Sequence, residues 1–311
     1  MSGRCAAGGS RGAVSCRSVS VSLLACATIV ACALLWSGFD LSRKALVARV
    51  EPVPLLVLLT LGQAPLFAVW AAVEGWPSFE AGYWPPALAS LALNVVANLA
   101  FFYAFKLAPL SLTIPLLSLT PALTALTAIP ILGEWPTVRQ GAGIALVVAG
   151  AFALHLPRGE AWTPRSVVRG LLRERGAHLM LLVALCWSLT PPFDKLALHR
   201  ASGPAHGLVL CAGVAVVLLA VLVARRRLGE LADVVRVPWL FVVALVVSTA
   251  ALGVQFVAYG LTAVALVETV KRGVGNVAAL GVGRWVFGEA VGTGQVGAVV
   301  VMGVGVGLIL S

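Results

Sequence analysis

Three charged residues lie in the middle of a long apolar stretch, ALVETVKRGVGNVAAL, as Glu268, Lys271 and Arg272. A charged side chain at the centre of a lipid-embedded helix costs roughly 2.5–3.5 kcal/mol, so these side chains must face protein, water or a ligand. Glu268 precedes the two cations by three and four residues and can pair with either. An internal ion pair that fixes helix packing is one interpretation. The other is binding of an anionic substrate group, because one carboxylate leaves a positive excess.

Further polar and aromatic side chains occur inside or at the ends of apolar stretches. Buried amides in lipid either join helices or line cavities, and the sequence leaves both roles open for them. We predict a substrate-binding set that comprises Lys271, Arg272, Glu268, Asn94, Asn98, Tyr103, Thr113, Trp36, Trp187, Gln255, Tyr259 and Asn276.

The fourth apolar stretch is interrupted by prolines, with Ser and Thr between them: Pro109, Pro115, Pro121 and Pro130. Proline removes a backbone donor and kinks a helix. Interrupted helices often mark the binding site of a transporter, whereas a packing kink is the alternative.

The residue types exclude several other functions. No nucleophile stands with a base, no His or Cys spacing suits a metal, and no phosphate-cradling Gly loop occurs, so we expect neither catalysis nor a cofactor. The net charge of +10 comes mostly from short gaps between apolar stretches. Cations beside membrane spans set orientation, so we do not expect nucleic acid as a partner.

The elements that carry these residues must lie in lipid. The chain is 60% hydrophobic and 11% charged, against roughly 25% charged residues in soluble domains. A helix needs about 20 apolar residues to span a bilayer. Ten stretches qualify, which predicts an all-α integral membrane protein: 19–39, 52–73, 84–105, 109–132, 138–156, 177–197, 205–224, 237–259, 262–286 and 290–310. Residues 1–18 are expected to form a disordered tail.

An Arg-rich linker, residues 157–176, divides the spans into two related halves, 19–156 and 177–311. The Trp-Ser…Lys pattern recurs after 151 residues, as Trp36-Ser37 with Lys44 and Trp187-Ser188 with Lys195. A second pattern recurs after 155 residues, as Gly133-Glu134, Gln140 and Gly150, then Gly288-Glu289, Gln295 and Gly305. Two ordered motifs at nearly one offset indicate an internal repeat.

Each half holds an odd number of spans, so the second copy must be inserted upside down. Inverted repeats are a transporter architecture, in which the halves rock about a site at their interface. The charges of the ninth stretch have no counterpart in the first half, where the equivalent positions are Thr113, Leu116 and Leu117. The repeat fold therefore does not need them, which favours a functional role.

With these motifs over residues 19–311, the chain resembles the EamA-type branch of the drug/metabolite transporter superfamily. The resemblance implies a ten-helix bundle whose central cavity is lined by helices one, three and four and by six, eight and nine. It also implies export of a metabolite. Trp36 stands eight residues before Lys44, where the small multidrug-resistance branch carries its proton-coupling Glu. The Lys271–Arg272 pair resembles that of the phosphate and nucleotide-sugar translocators.

We therefore expect a secondary active transporter of a small, anionic or zwitterionic metabolite in a bacterial inner membrane. The alternatives are an accessory or structural subunit without transport of its own, and a carrier for a phosphorylated or nucleotide-linked substrate. The expected partners are the substrate, a coupling ion and the lipid bilayer. Monomer and homodimer both stay open. The resemblance implies cytoplasmic termini, whereas the distribution of Arg and Lys favours the opposite orientation.

Overall fold

The structure, a computed structural model, describes most of the chain. The described residues are 22–47, 49–75, 78–107, 116–154, 175–234, 237–287 and 292–311. The predicted tail, nearly all of the predicted linker, and the site residue Thr113 lie outside them, as does Glu289.

The described chain is helical, and its long helices follow the apolar stretches. They are α1 Leu23–Val47, α2 Pro52–Glu74, α3 Trp84–Leu107, α4 Thr120–Leu132, α5 Val138–Leu154, α6 Arg175–Leu198, α7 Gly203–Ala224, α8 Pro238–Leu261, α9 Val264–Phe287 and α10 Thr293–Leu310. A 3₁₀ turn, Leu228–Glu230, and a four-residue helix, Leu231–Val234, connect α7 to α8.

Seven of these helices are long and apolar enough to cross a membrane: α1, α2, α3, α6, α7, α8 and α10. The prediction of a multi-pass, all-helical membrane protein is confirmed at this level. Two others are shorter apolar helices, α4 with 13 residues and α5 with 17. Helix α9 carries the charges discussed above.

The boundaries of two helices differ from the sequence prediction. Helix α1 begins and ends later than predicted, at Leu23 and Val47, because its polar last turns, with Asp40 and Arg43, continue the helix beyond the apolar stretch. Helix α4 begins at Thr120, with Pro121 in its first turn, after two helical residues at 116–117 and a turn at 118–119. Proline is tolerated there, because the first-turn N–H groups have no helical partner.

The contacts between helices follow a symmetrical pattern. Helix α1 packs against α8 as α6 packs against α3, and α4 packs against α6 as α9 packs against α1. Helices α2 and α7 form a further pair, as do α5 and α10. These six contacts map onto one another when the first five helices are exchanged, in order, for the second five.

Helices α5 and α10 approach each other through two glycines. A Cβ atom on Gly305 would lie 2.7 Å from the Gly143 carbonyl oxygen, and one on Gly143 would lie equally close to that of Gly305. The sequence suggests Gly303 and Gly307 for such a contact, but a Cβ there meets no atom within 4 Å. Gly305 is two residues away from each of them and therefore lies on the opposite side of the helix, which faces α5.

For orientation, end A denotes the end of the bundle where α1 begins and α10 ends. It includes the connections α2–α3, α4–α5, α6–α7 and α8–α9. End B denotes the opposite end, with the connections α1–α2 and α7–α8.

Candidate functional site

A central cavity of about 400 Å³ lies between the two halves of the bundle. Its wall comes from α1, α3, α4, α6, α8 and α9, as the family resemblance implies, and also from α2 and α7. It extends from Val47 and Pro52 at end B to Asp194 and Tyr259 toward end A. Ten of the predicted site residues line it: Trp36, Asn94, Asn98, Trp187, Gln255, Tyr259, Glu268, Lys271, Arg272 and Asn276.

Lys271 is held by three neighbours. Its Nζ donates to Glu268 Oε1 at 2.8 Å and to Gln255 Oε1 at 2.7 Å, and it lies 4.7 Å from the centroid of the Trp36 ring. Tyr259 donates its hydroxyl hydrogen to the same Glu268 oxygen at 2.6 Å. A buried charge needs an opposite charge and further hydrogen bonds to offset its desolvation, and Lys271 has both.

Arg272 differs from Lys271 in having no close partner. Among the described residues, no carboxylate lies within ion-pair distance of its guanidinium, although Asp40 and Glu268 attract it from further away. The side chain is partly exposed to the cavity. A guanidinium with free donors can bind a carboxylate or phosphate through two parallel hydrogen bonds.

The cavity wall also holds two polar groups without a partner in the described protein. They are the indole N–H of Trp36 and the hydroxyl of Thr120 at the start of α4. Most buried polar groups in proteins are hydrogen-bonded. These two groups are therefore candidates for hydrogen bonds to a ligand or to water in the cavity.

The two asparagines of α3 donate to their own helix. Asn98 Nδ2 donates to the Asn94 carbonyl at 2.8 Å, and Asn94 Nδ2 donates to the Ser90 carbonyl at 3.2 Å. Both side chains still line the cavity.

Tyr103, also predicted as a site residue, does not line the cavity. Its ring is 41% exposed and lies 5.8 Å from the Arg225 guanidinium carbon at end B. The reason is helical geometry, because five residues beyond Asn98 a side chain points about 140° away from it.

Helix α6 contains two adjacent prolines, which the proline pattern of the fourth stretch does not point to. Pro191 and Pro192 lie inside the helix, which is continuous through them, but Pro192 cannot donate to the Ser188 carbonyl as an ordinary residue would. That carbonyl instead accepts a hydrogen bond from Thr127 of α4 at 2.8 Å. Thr190 and Pro191 line the cavity, so the proline pair lies in its wall.

A polar contact joins α4, α6 and the start of α9 at end A. Lys195 Nζ donates to Glu134 Oε1 at 2.6 Å and to the Thr262 carbonyl at 2.7 Å. The other Glu134 oxygen accepts from the Val264 backbone N–H at 3.0 Å. Both residues belong to the repeated motifs, but the 61 residues between them hide the Lys195–Glu134 contact from the sequence.

A second buried polar cluster begins at Asp194, in the cavity wall. Asp194 Oδ1 accepts a short hydrogen bond from Ser90 and lies 3.2 Å from His206 Nε2. The other ring nitrogen of His206, Nδ1, lies 3.0 Å from the Tyr83 hydroxyl oxygen. Tyr83, Ser90 and His206 are fully buried and Asp194 is 3% exposed. No motif or spacing in the sequence brings these four residues together.

Comparisons with known proteins bear on the fold and on the family. Residues 23–156 match the EamA-like transporter family. A solved structure, described only as "Crystal structure of protein", is similar with a TM-score of 0.69 and 18% identity, covering 92% of this chain and 96% of that one. No curated protein matches. At that identity, the structural likeness supports the fold alone, whereas the predicted family resemblance is confirmed by residues 23–156.

Proposed function

We propose that the chain, whose residues 23–156 match the EamA-like transporter family, is a secondary active carrier for a small anionic or zwitterionic metabolite. The observation that carries the proposal is Arg272, which has no close partner among the described residues and lies beside the paired Lys271 in a central cavity. A guanidinium without a close counter-charge in a low-dielectric cavity attracts a negatively charged group.

The size and lining of the cavity suit a small molecule. Its volume of about 400 Å³ falls in the usual range of ligand pockets, about 300–1,000 Å³. Carboxylate or phosphate oxygens would bind Arg272, and the Trp36 indole and Thr120 hydroxyl offer hydrogen bonds to other polar atoms.

The symmetrical helix pairing supports two five-helix repeats of opposite insertion, as the sequence motifs predict. Exchange of the halves maps the α1–α8 contact onto the α6–α3 contact, and the α4–α6 contact onto the α9–α1 contact. Such an arrangement has two equivalent states, one open to each side of the membrane. The closed end A and the cavity that reaches end B correspond to one of them.

The Lys195–Glu134 contact supports alternating access in particular. It ties the first half to the second at end A, where it joins α4 to α6 and to the start of α9. Opening of end A requires this contact to break. The contact is mostly buried, with side-chain exposures of 12% and 14%, so its two charges must gain water or other partners when end A opens.

Within this proposal, export and a bacterial inner-membrane location stay predictions from the family resemblance. An accessory subunit without transport of its own is the competing function. The nature of the bound anion separates a carboxylate carrier from a carrier of phosphorylated or nucleotide-linked compounds.

The test is thermal stabilisation of the purified protein against a panel of carboxylate, phosphorylated and nucleotide-linked metabolites. We expect at least one class to stabilise the wild type, because a ligand that binds only the folded state raises its stability. Lys271→Gln/Arg272→Gln is expected to abolish that stabilisation.

The matched control is Arg49→Gln/Arg139→Gln, which removes two exposed positive charges outside the cavity. It is expected to respond to ligands like the wild type. A panel that stabilises nothing, or that stabilises the double variant of α9 equally, contradicts the proposed binding site.

A further inference from the structure

The cluster of Tyr83, Ser90, Asp194 and His206, here called the Asp–His cluster, is a buried group with titratable side chains that anion binding leaves unused. It joins the start of α3, the last turns of α6 and the first turn of α7. Asp194 lines the cavity, whereas His206 and Tyr83 lie behind it toward end A.

We propose that Asp194 and His206 form a proton-binding site, and that a proton bound there strengthens anion binding at Arg272. The proposal rests on the carrier function proposed above and deepens it by naming the coupling ion. The proton comes from water, binds one ring nitrogen of His206, and returns to water when the site empties.

The hydrogen bonds of the cluster allow both protonation states. With a neutral imidazole, Nε2–H donates to Asp194 Oδ1 and Nδ1 accepts from the Tyr83 hydroxyl. With a protonated imidazole, Nδ1–H donates to the Tyr83 oxygen instead, because a phenol oxygen can donate or accept. Neither state leaves a ring nitrogen without a partner. Histidine is also the side chain that ordinarily changes charge between about pH 5 and 8.

The balance of charges in the cavity wall explains why a single proton on His206 changes anion binding. Three carboxylates, Asp40, Asp194 and Glu268, face three cations, Arg43, Lys271 and Arg272. With a neutral His206 these charges cancel, and a proton on His206 leaves an excess of one positive charge. An anion is then bound more strongly, and by linkage a bound anion strengthens proton binding to the same degree.

Groups on the surrounding helices do not compete for this proton. Burial, followed by the nearby Asp194 carboxylate, raises the pKa of Tyr83 well above its usual value, so its phenol stays protonated. On α8, Tyr259 faces Asp194 and donates to Glu268, the carboxylate of α9.

The remaining charged neighbours point elsewhere. Lys195, the next residue along α6, binds Glu134 of α4. Arg200, in the α6–α7 connection, donates to the Gly82 carbonyl. Helix α2 contributes the apolar Phe67 beside Gly207, and α8 contributes Phe256 with its ring centroid 5.2 Å from that of His206.

The test is a pH titration by NMR of the full-length protein in detergent, with ¹³C-labelled histidine. The signal of His206 is identified by its loss in His206→Gln, and His199→Gln removes an exposed imidazole as the control. We expect the His206 signal to pass through one protonation step during the titration. We expect Asp194→Asn to move its midpoint to lower pH, because the variant removes the negative charge that favours the imidazolium.

The link to anion binding is tested with sulfate, which stays fully ionised across this range. Sulfate is expected to raise the His206 midpoint in the wild type and in His199→Gln, but not in Lys271→Gln/Arg272→Gln. A His206 signal that stays neutral throughout overturns the proton site. A midpoint that sulfate leaves unmoved overturns the link to Arg272.

Failure of the carrier proposal would give a different combination of results from failure of the proton site. Stabilisation by the metabolite panel depends on Arg272 and Lys271 and does not require His206. If no metabolite stabilises the protein but His206 titrates, the carrier proposal is contradicted and the proton site is retained. An active panel beside a neutral His206 contradicts only the proton site.

Discussion

At the scale of single residues, the two cations of α9 have different surroundings. Their replacement should therefore affect ligand binding and protein stability differently. Lys271 contacts Glu268, Gln255 and Trp36, whereas Arg272 has no close partner among the described residues. The structure thus separates a cation held by the protein from one available to a ligand.

Arg272→Gln is expected to weaken ligand binding about 10- to 100-fold, since hydrogen bonds to charged groups contribute about 1.5–3 kcal/mol. Its melting temperature in the absence of ligand should stay close to that of the wild type. Lys271→Gln should lower the melting temperature instead, because Glu268 loses its counter-charge. Ligand titrations and thermal melts of both variants measure the difference, and equal losses of stability would contradict it.

The sequence identifies residues whose burial in lipid is unfavourable, because their type and their immediate neighbours are enough to show it. Charges in an apolar stretch are expensive in lipid, so Glu268, Lys271 and Arg272 stand out without any structure. His206 lies 123 residues from its partner Tyr83, and nothing in a single sequence pairs residues so far apart. Tyr103 is predicted as a site residue but does not line the cavity, because residue type alone does not determine the face of a helix on which a side chain lies.

At the scale of elements, the α5–α10 contact depends on the absence of a side chain at one position. Gly305→Ala should destabilise the protein by about 1–3 kcal/mol through overpacking, because the new Cβ would lie 2.7 Å from the Gly143 carbonyl oxygen. Gly303→Ala, on the open face of the same helix, is the matched control. Thermal melts in detergent compare them, and an equal effect of the two would contradict the packing.

The Lys195–Glu134 contact should control the opening of end A. Glu134→Gln keeps an oxygen for the Val264 N–H but removes the charge that holds Lys195. In a cysteine-free background, spin labels at the exposed positions Val138 and His199 report the separation of α5 from α6 at end A. We expect Glu134→Gln to populate longer distances.

The exposed Arg139→Gln serves as the control for the spin-label experiment and should leave the distances unchanged. If Glu134→Gln also leaves them unchanged, the contact does not hold end A closed.

The prolines show how far the sequence predicts these elements. Proline content directs attention to the fourth stretch, where residues 118–119 form a turn and Pro121 lies in the first turn of α4 just after it. Helix α6 continues through its two adjacent prolines, although Pro192 leaves the Ser188 carbonyl free to accept from Thr127. Sequence identifies the prolines, but only packing shows which partners the freed carbonyl groups find.

At the scale of the whole molecule, the order of the helices fixes which connections share a side of the membrane. Arg139 and His199 lie at end A, whereas Arg226 lies in the α7–α8 connection at end B. Single cysteines at positions 139 and 199 should react with a membrane-impermeant maleimide added on one side of the membrane. A cysteine at position 226 should react with it only from the other side. The cation distribution predicts Arg226→Cys on the cytoplasmic side. Reaction of Arg139→Cys and Arg226→Cys from the same side would contradict the helix order across the membrane.

The repeat motifs predict the relation between the halves, and the helix contacts agree with it. Trp36-Ser37 and Trp187-Ser188 occupy matching positions in α1 and α6, and both tryptophans line the cavity. The charges of α9 have no counterpart in the first half. Symmetry among these helix contacts therefore coexists with a site in which the Lys271–Arg272 pair belongs to the second half alone.

Counterflow in proteoliposomes tests the central claim, transport of an anionic metabolite through the cavity, most directly. Vesicles loaded with the compound that gives the largest stabilisation should accumulate its labelled form when they contain the wild type or Arg49→Gln/Arg139→Gln. Vesicles with Lys271→Gln/Arg272→Gln should take up no more than protein-free vesicles. Uptake by this variant at the wild-type rate, or no saturable uptake by the wild type, would contradict the account.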